Sequence, residues 1–156
     1  MSVVSDTGMC SLADLMSQTG LVTDQTRGMT VDDGTSNVSI TCSVTKGSGG
    51  TFAVSAQGLD STPTTGSALS IQIPSISLSA TMSSPAVGTV VYSSPQTVDE
   101  EYASHACNFY FTSKNEGVAL GQVWVTFDCP MLTSEPSMST CNLTQGFAIF
   151  ENCAAQ

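Results

Sequence analysis

The chain has 156 residues, 13 acidic against 3 basic side chains, and a formal charge of -10. Its basic residues, Arg27, Lys46 and Lys114, are too few to neutralise a phosphate backbone or to hold an anionic lipid surface, so nucleic-acid binding and electrostatic membrane attachment are excluded as classes. A single domain of residues 1–156 with a core of ordinary size is expected at this length, and no apolar run is long enough to predict a membrane span.

The first residues, Met1 to Asp6, lack the basic and apolar regions of a signal peptide, so a leader is expected to have been removed and residues 1–9 read as a disordered segment or arm. Leu12, Leu15 and Met16 have helical spacing between Ser11 and Gly20, which predicts a short helix over 10–20. From there the pattern is period two, broken by turn chemistry. Asp32-Asp33-Gly34 is a hairpin-turn signal. Val38, Ile40, Cys42 and Val44 alternate with polar residues as in a half-buried strand, Gly47 to Gly50 turns the chain, and Phe52, Val54 and Ala56 return. Leu69, Ile71 and Ile73 form the next strand. Pro74 then reverses the parity for Ile76, Leu78 and Ala80, which predicts an edge, a bulge or a change of sheet. Val87 to Tyr92 follows, then the acidic Asp99-Glu100-Glu101. His105, Cys107, Phe109 and Phe111 alternate on a presumed inward face. After a turn at Lys114 to Gly117, Val123, Val125, Phe127 and Cys129 return, and the last strand runs from Gly146 to Cys153. About eight to ten short strands with regularly spaced turns predict an all-β fold, an antiparallel β-sandwich of immunoglobulin-like or jelly-roll type.

Six cysteines, Cys10, Cys42, Cys107, Cys129, Cys141 and Cys153, form no CxxC pair and predict a disulfide framework, hence an oxidising, extracellular or cell-surface compartment (the periplasm included). The preferred pairing is Cys10–Cys42, Cys107–Cys153 and Cys129–Cys141, the last pinning a loop that holds Pro130 and Pro136. Cys42–Cys107 is the competing choice, by analogy with the immunoglobulin inter-sheet bridge. Trp124 lies after the second of these cysteines, which departs from the immunoglobulin pattern.

The runs Ala106-Cys107-Asn108-Phe109-Tyr110-Phe111, Val123-Trp124-Val125-Thr126-Phe127-Asp128-Cys129-Pro130 and Phe150-Glu151-Asn152-Cys153 resemble small cysteine-bearing secreted or lipoprotein-type β-domains of myxobacteria. The resemblance covers the C-terminal third. It implies a bacterial exported protein and carries no catalytic residues across. Asp6-Thr7-Gly8-Met9 before Cys10 is not a lipobox, so a lipid anchor is not expected on the chain as it stands.

Three chemistries remain to be weighed. His105 is the one histidine, and no nucleophile elbow, HExxH or phosphate-binding glycine loop accompanies it, so no enzyme is predicted. Calcium is the one candidate cofactor. Its oxygen ligands would come from Asp32, Asp33 and Asn37, or from Asp99, Glu100 and Glu101, against the simpler reading of a hairpin turn and a solvated loop. Tyr110 and Trp124 share a parity opposite to Phe109 and Val125. On paired strands they would form one aromatic patch for a glycan or protein partner, against the simpler reading of a cross-strand pair that stabilises the sheet. The sequence thus predicts a secreted, non-catalytic structural or interaction domain with self-association open to it, the alternative being a calcium-dependent or carbohydrate-binding module.

Overall fold

The computed structural model describes residues 2–6, 16–18, 34, 37–64, 66–97, 100–135 and 137–155. Within these the strands are β1 (Ser2–Asp6), β2 (Met16–Gln18), β3 (Val38–Lys46), β4 (Thr51–Asp60), β5 (Ser67–Ser77), β6 (Ala86–Ser93), β7 (Glu101–Tyr110), β8 (Gly117–Ala119), β9 (Gln122–Ser134), β10 (Thr140–Glu151) and β11 (Ala154–Ala155). They form one sheet in the order β11-β3-β4-β5-β6-β7-β9-β10-β1-β2, with β8 added on β9. Every pairing is antiparallel except β11 with β3.

The all-β, antiparallel, disulfide-bridged class is therefore what the structure shows. From β3 to β10 the strand order is a meander that follows the sequence, with β8 alone set off that path, rather than the Greek-key order of immunoglobulin and jelly-roll sandwiches. The sheet curls because its two flanks must meet. β10 ends at Glu151, and only a few residues later Ala154 pairs with Ser43 of β3. Bulges between Gly88 and Val90 and between Phe52 and Val54, with two register shifts in β10, supply the bending.

The alternating apolar residues converge on one core. Val44, Ile71, Phe109, Val125 and Phe127 are fully buried in it, with Val54, Ile73 and Val90 packed beside them. Phe109 and Phe127 face each other across β7 and β9 with ring centroids 5.4 Å apart. Two glycines make room for them. A Cβ at Gly88 would lie 2.8 Å from the Phe109 ring, and one at Gly146 would lie 2.6 Å from the Phe127 ring, so the aromatic centre of the core requires bare backbone on both flanking strands.

Several expectations are corrected. Ser2–Asp6, expected as an arm, is β1, paired with Phe147 to Asn142 of β10. Met16–Gln18, expected within the helix over 10–20, is β2, paired with β1; a weak three-residue helical pattern yields to sheet pairing. Residues 10–15 and 19–20 of that expected helix lie outside the described residues. Around Pro74 the expected bulge is present: Val54 pairs with Ile73 but Phe52 with Ile76, which restores Ile76 to the core. Leu78, expected in the same strand, is in a turn and 60% exposed.

The preferred disulfide set is also overturned. Cys42 bonds Cys153, and Cys107 bonds Cys129. Cys141 is disulfide-bonded as well, and no described cysteine is free. The register gives the reason. Asn108 faces Asp128 on the adjacent strands β7 and β9, so Cys107 and Cys129 stand opposite each other one position along, with Cα atoms 4.2 Å apart. In β10 it is Leu143 that faces Cys129, and Cys141 faces Leu132, which leaves no Cys129–Cys141 contact. Cys153 reaches Cys42 because β11 docks beside Ser43 and Val44, and this also excludes Cys10–Cys42, Cys107–Cys153 and Cys42–Cys107.

Candidate functional site

The outer face of β7, β8 and β9 carries the densest set of chemically capable side chains. The alternation that sends Phe109, Val123, Val125 and Phe127 inward sends Asn108, Tyr110, Trp124, Thr126 and Asp128 outward. Tyr110 pairs with Thr126, and Trp124 lies between Gly117 of β8 and Ile149 of β10. The two aromatics thus share one face on adjacent strands, as their parity predicts. They do not form a solvent-facing platform: Tyr110 is 2% exposed and Trp124 7%.

The polar groups on this face are committed to one another. Asn108 donates its side-chain N–H to Asp128 Oδ2 at 2.8 Å. Glu116 accepts from the Thr112 backbone N–H, from the Thr112 hydroxyl at 2.8 Å and from the Thr126 hydroxyl at 2.9 Å. Burial pushes the Tyr110 phenol above its ordinary value, and the charge and close polar contact of Asp128, then the charge of Glu116, raise it further. A phenol held protonated beside two carboxylates is a hydrogen-bond donor, and here it serves the sheet. A shallow dent lies beside the face, lined by Gln122, Trp124, Ile149 and Glu151 among others.

The remaining candidates are scattered. Asp32, Asp33 and Asp99 lie outside the described residues. Asn37 is an exposed turn residue with a positive φ of 63°, and its carbonyl accepts from Ser61. Glu100 accepts from the Ser137 hydroxyl at 2.6 Å, and this bond holds its carboxyl below the ordinary value. The fully buried Ser134 hydroxyl also acts on that carboxylate, although it makes no hydrogen bond of standard geometry. Glu101 begins β7 and is exposed. Among the described residues, no three acidic, histidine or cysteine side chains are grouped to hold a metal ion.

His105 is exposed, with Nδ1 3.2 Å from the Thr89 hydroxyl, not inward as its spacing from Cys107 suggests. Ser104 and Cys107 are both buried, so a bulge opposite Gly88 and Val90 adds a residue and reverses the parity between His105 and Cys107. The sequence pattern does not announce β8 or Glu116, whose side chain ties the turn before β8 to Thr112 and to Thr126 of β9. The turn signal at Lys114 to Gly117 is their trace in the sequence.

No protein-family model, curated protein or solved structure matches this chain at a significant level. No helix among the described residues is long and apolar enough to cross a membrane, which leaves strands unaddressed.

Proposed function

We propose that this chain is a secreted or cell-surface β-domain whose role is structural or interactive and not catalytic. The observation that carries the reading is the covalent closure of the sheet. Cys42–Cys153 joins β3 to the chain's last residues across a separation of 111, and Cys107–Cys129 joins two neighbouring strands inside the core. Bridges of this kind persist where the surroundings are oxidising, and a reducing cytosol opposes them. The side chains with the chemical means for catalysis or ligand capture, Asp128, Tyr110 and Glu116, spend that capacity on cross-strand hydrogen bonds. A surface held rigid in this way suits repeated contact with a partner outside the cell.

The test is the thiol state in the native source. Cells and culture fluid are alkylated before and after reduction, and the protein is located and weighed by mass spectrometry. The reading expects an exported fraction that takes up label only after reduction. Protein that stays inside the cell with all its thiols labelled at the first step overturns it.

A further inference from the structure

Two bulges lie side by side on the outer face of the sheet. In β7, Ser104 pairs with Val90 and Cys107 with Gly88, so His105 and Ala106 together stand opposite Thr89 alone. In β9, Leu132 pairs with Cys141 and Cys129 with Leu143, so Pro130 and Met131 together stand opposite Asn142 alone. β7 and β9 are neighbours, and their ladder runs from Tyr102–Ser134 to Ala103–Thr133, then resumes in the same register at Asn108–Asp128. Counted from either side, His105 faces Met131 and Ala106 faces Pro130. The extra residue of each strand therefore sits at the same level. The Cys107–Cys129 bridge holds the strands together within this interval, with Cα atoms 4.2 Å apart.

A bulge re-aims a side chain, and two matched bulges re-aim a facing pair. Ser104, Cys107, Cys129 and Leu132 are buried, and the four residues between them on the two strands are exposed. Ala106 and Pro130 carry no side-chain donor atom, so His105 and Met131 are what the bulges present. Met131 is 59% exposed. Facing residues on neighbouring strands have Cβ atoms about 4.5–5.5 Å apart, which brings an imidazole nitrogen and a thioether sulfur within reach of one ion. The imidazole is already oriented, with Nδ1 3.2 Å from the Thr89 hydroxyl. A hydroxyl accepts as well as it donates. With Nδ1–H donated to Thr89, the lone pair of Nε2 is the free one, and a ligating histidine is ordinarily held in this way.

We propose that His105 and Met131 form a surface site for a soft, closed-shell monovalent cation, copper(I), ligated by His105 Nε2 and Met131 Sδ. The thioether decides the class of ion. It is a poor ligand for calcium, magnesium and zinc and a good one for copper(I), which imidazole also suits and which accepts low coordination numbers. Free thiolates would outcompete both ligands, but no described cysteine is free. The formal charge of -10 gathers cations at the surface without choosing among them, so selection falls to the sulfur. Met82 and Met138 are exposed as well, yet the one histidine of the chain faces Met131. The site goes beyond the structural role proposed above, because neither side chain takes part in the disulfide closure of the sheet.

The test uses the oxidised full-length chain at neutral pH, with silver(I) as an air-stable probe and copper(I) under anaerobic conditions. NMR on methyl-labelled methionine follows the 7 methionines through a silver(I) titration. A single equivalent should move the Met131 methyl and the His105 ring signals together and leave the other methionine methyls in place. Competition with a chromophoric copper(I) chelator then gives the affinity. His105→Ala and Met131→Leu should each weaken copper(I) binding by at least about tenfold. Both side chains are exposed, so the fold is retained, which circular dichroism checks. Met131→Leu should leave the affinity for zinc(II) unchanged. Methyl shifts spread over several methionines, copper(I) affinity that survives either substitution, or zinc(II) bound as tightly as copper(I) overturns the proposal.

Discussion

Cys42→Ala with Cys153→Ala should destabilise this domain chiefly through its unfolded state. The bridge closes a separation of 111 residues, against 22 for Cys107–Cys129. On the chain-entropy relation the longer closure removes about 16 cal/mol/K from the unfolded chain, or about 4.8 kcal/mol at room temperature. The shorter removes about 11 cal/mol/K, or about 3.4 kcal/mol. Some packing is lost as well, since Cys42 is half-buried and Cys153 buried, but each substitution removes only one sulfur atom. Single domains have roughly 5–15 kcal/mol in hand, so the loss is a large share of the total. At this size it corresponds to a melting temperature lower by about 10–20 °C. Urea unfolding is the assay, since it reports the midpoint and the slope together. The slope should rise as well, because an unfolded chain freed of its longest tether exposes more surface. Cys107→Ala/Cys129→Ala deletes two fully buried sulfurs, which adds a packing cost and blurs a comparison of stabilities alone. The slope separates the two pairs: its rise should be larger for the 42–153 pair. A loss below about 1 kcal/mol, or a larger slope change on removing the short closure, would refute the reasoning.

Gly146→Ala should cost about 1–3 kcal/mol in chemical denaturation, because its Cβ would sit 2.6 Å from a Phe127 ring that is fully buried and cannot yield; an unchanged midpoint would mean the ring has room to move. Trp124→Ala should cost about 3–5 kcal/mol, as expected of a large side chain that is 7% exposed. A retained melting temperature would return Trp124 to the class of ligand-facing aromatics. Glu100 has a depressed carboxyl pKa, so the stability it contributes is present above the ordinary carboxylate value and is lost as pH falls through the folded-state value. Ser137→Ala should move that pKa up toward the reference of 4.5, read by carboxyl-resolved NMR titration, and no movement would show that the 2.6 Å bond is not formed in solution.

Much of the sheet is legible in the sequence, and the places where legibility stops have one cause. The alternation of Val38, Ile40, Cys42 and Val44, the glycine turn at Gly47 to Gly50 and the parity change at Pro74 all correspond to observed features: β3, a turn with positive φ at Gly49 and Gly50, and a bulge opposite Phe52 and Val54. Each of these is a local rule. Face assignment by parity holds only while a strand is unbroken. One added residue between Ser104 and Cys107 sends His105 to solvent although it shares its parity with a buried cysteine. A proline marks the bulge in β5, whereas a histidine and an alanine occupy the one in β7, and neither residue type announces it. Disulfide partners are harder still, because they depend on register between strands. Cys107 meets Cys129 only because Asn108 meets Asp128, and Cys42 meets Cys153 only because the curled sheet brings β11 to β3. Tyr110 and Trp124 show the same limit at the site. Parity correctly places both opposite the main core, on neighbouring strands. A period-two pattern states which face a side chain takes and is silent on what lies over that face. The low exposure of the pair is therefore a tertiary fact, which the alternation of the two strands does not contain.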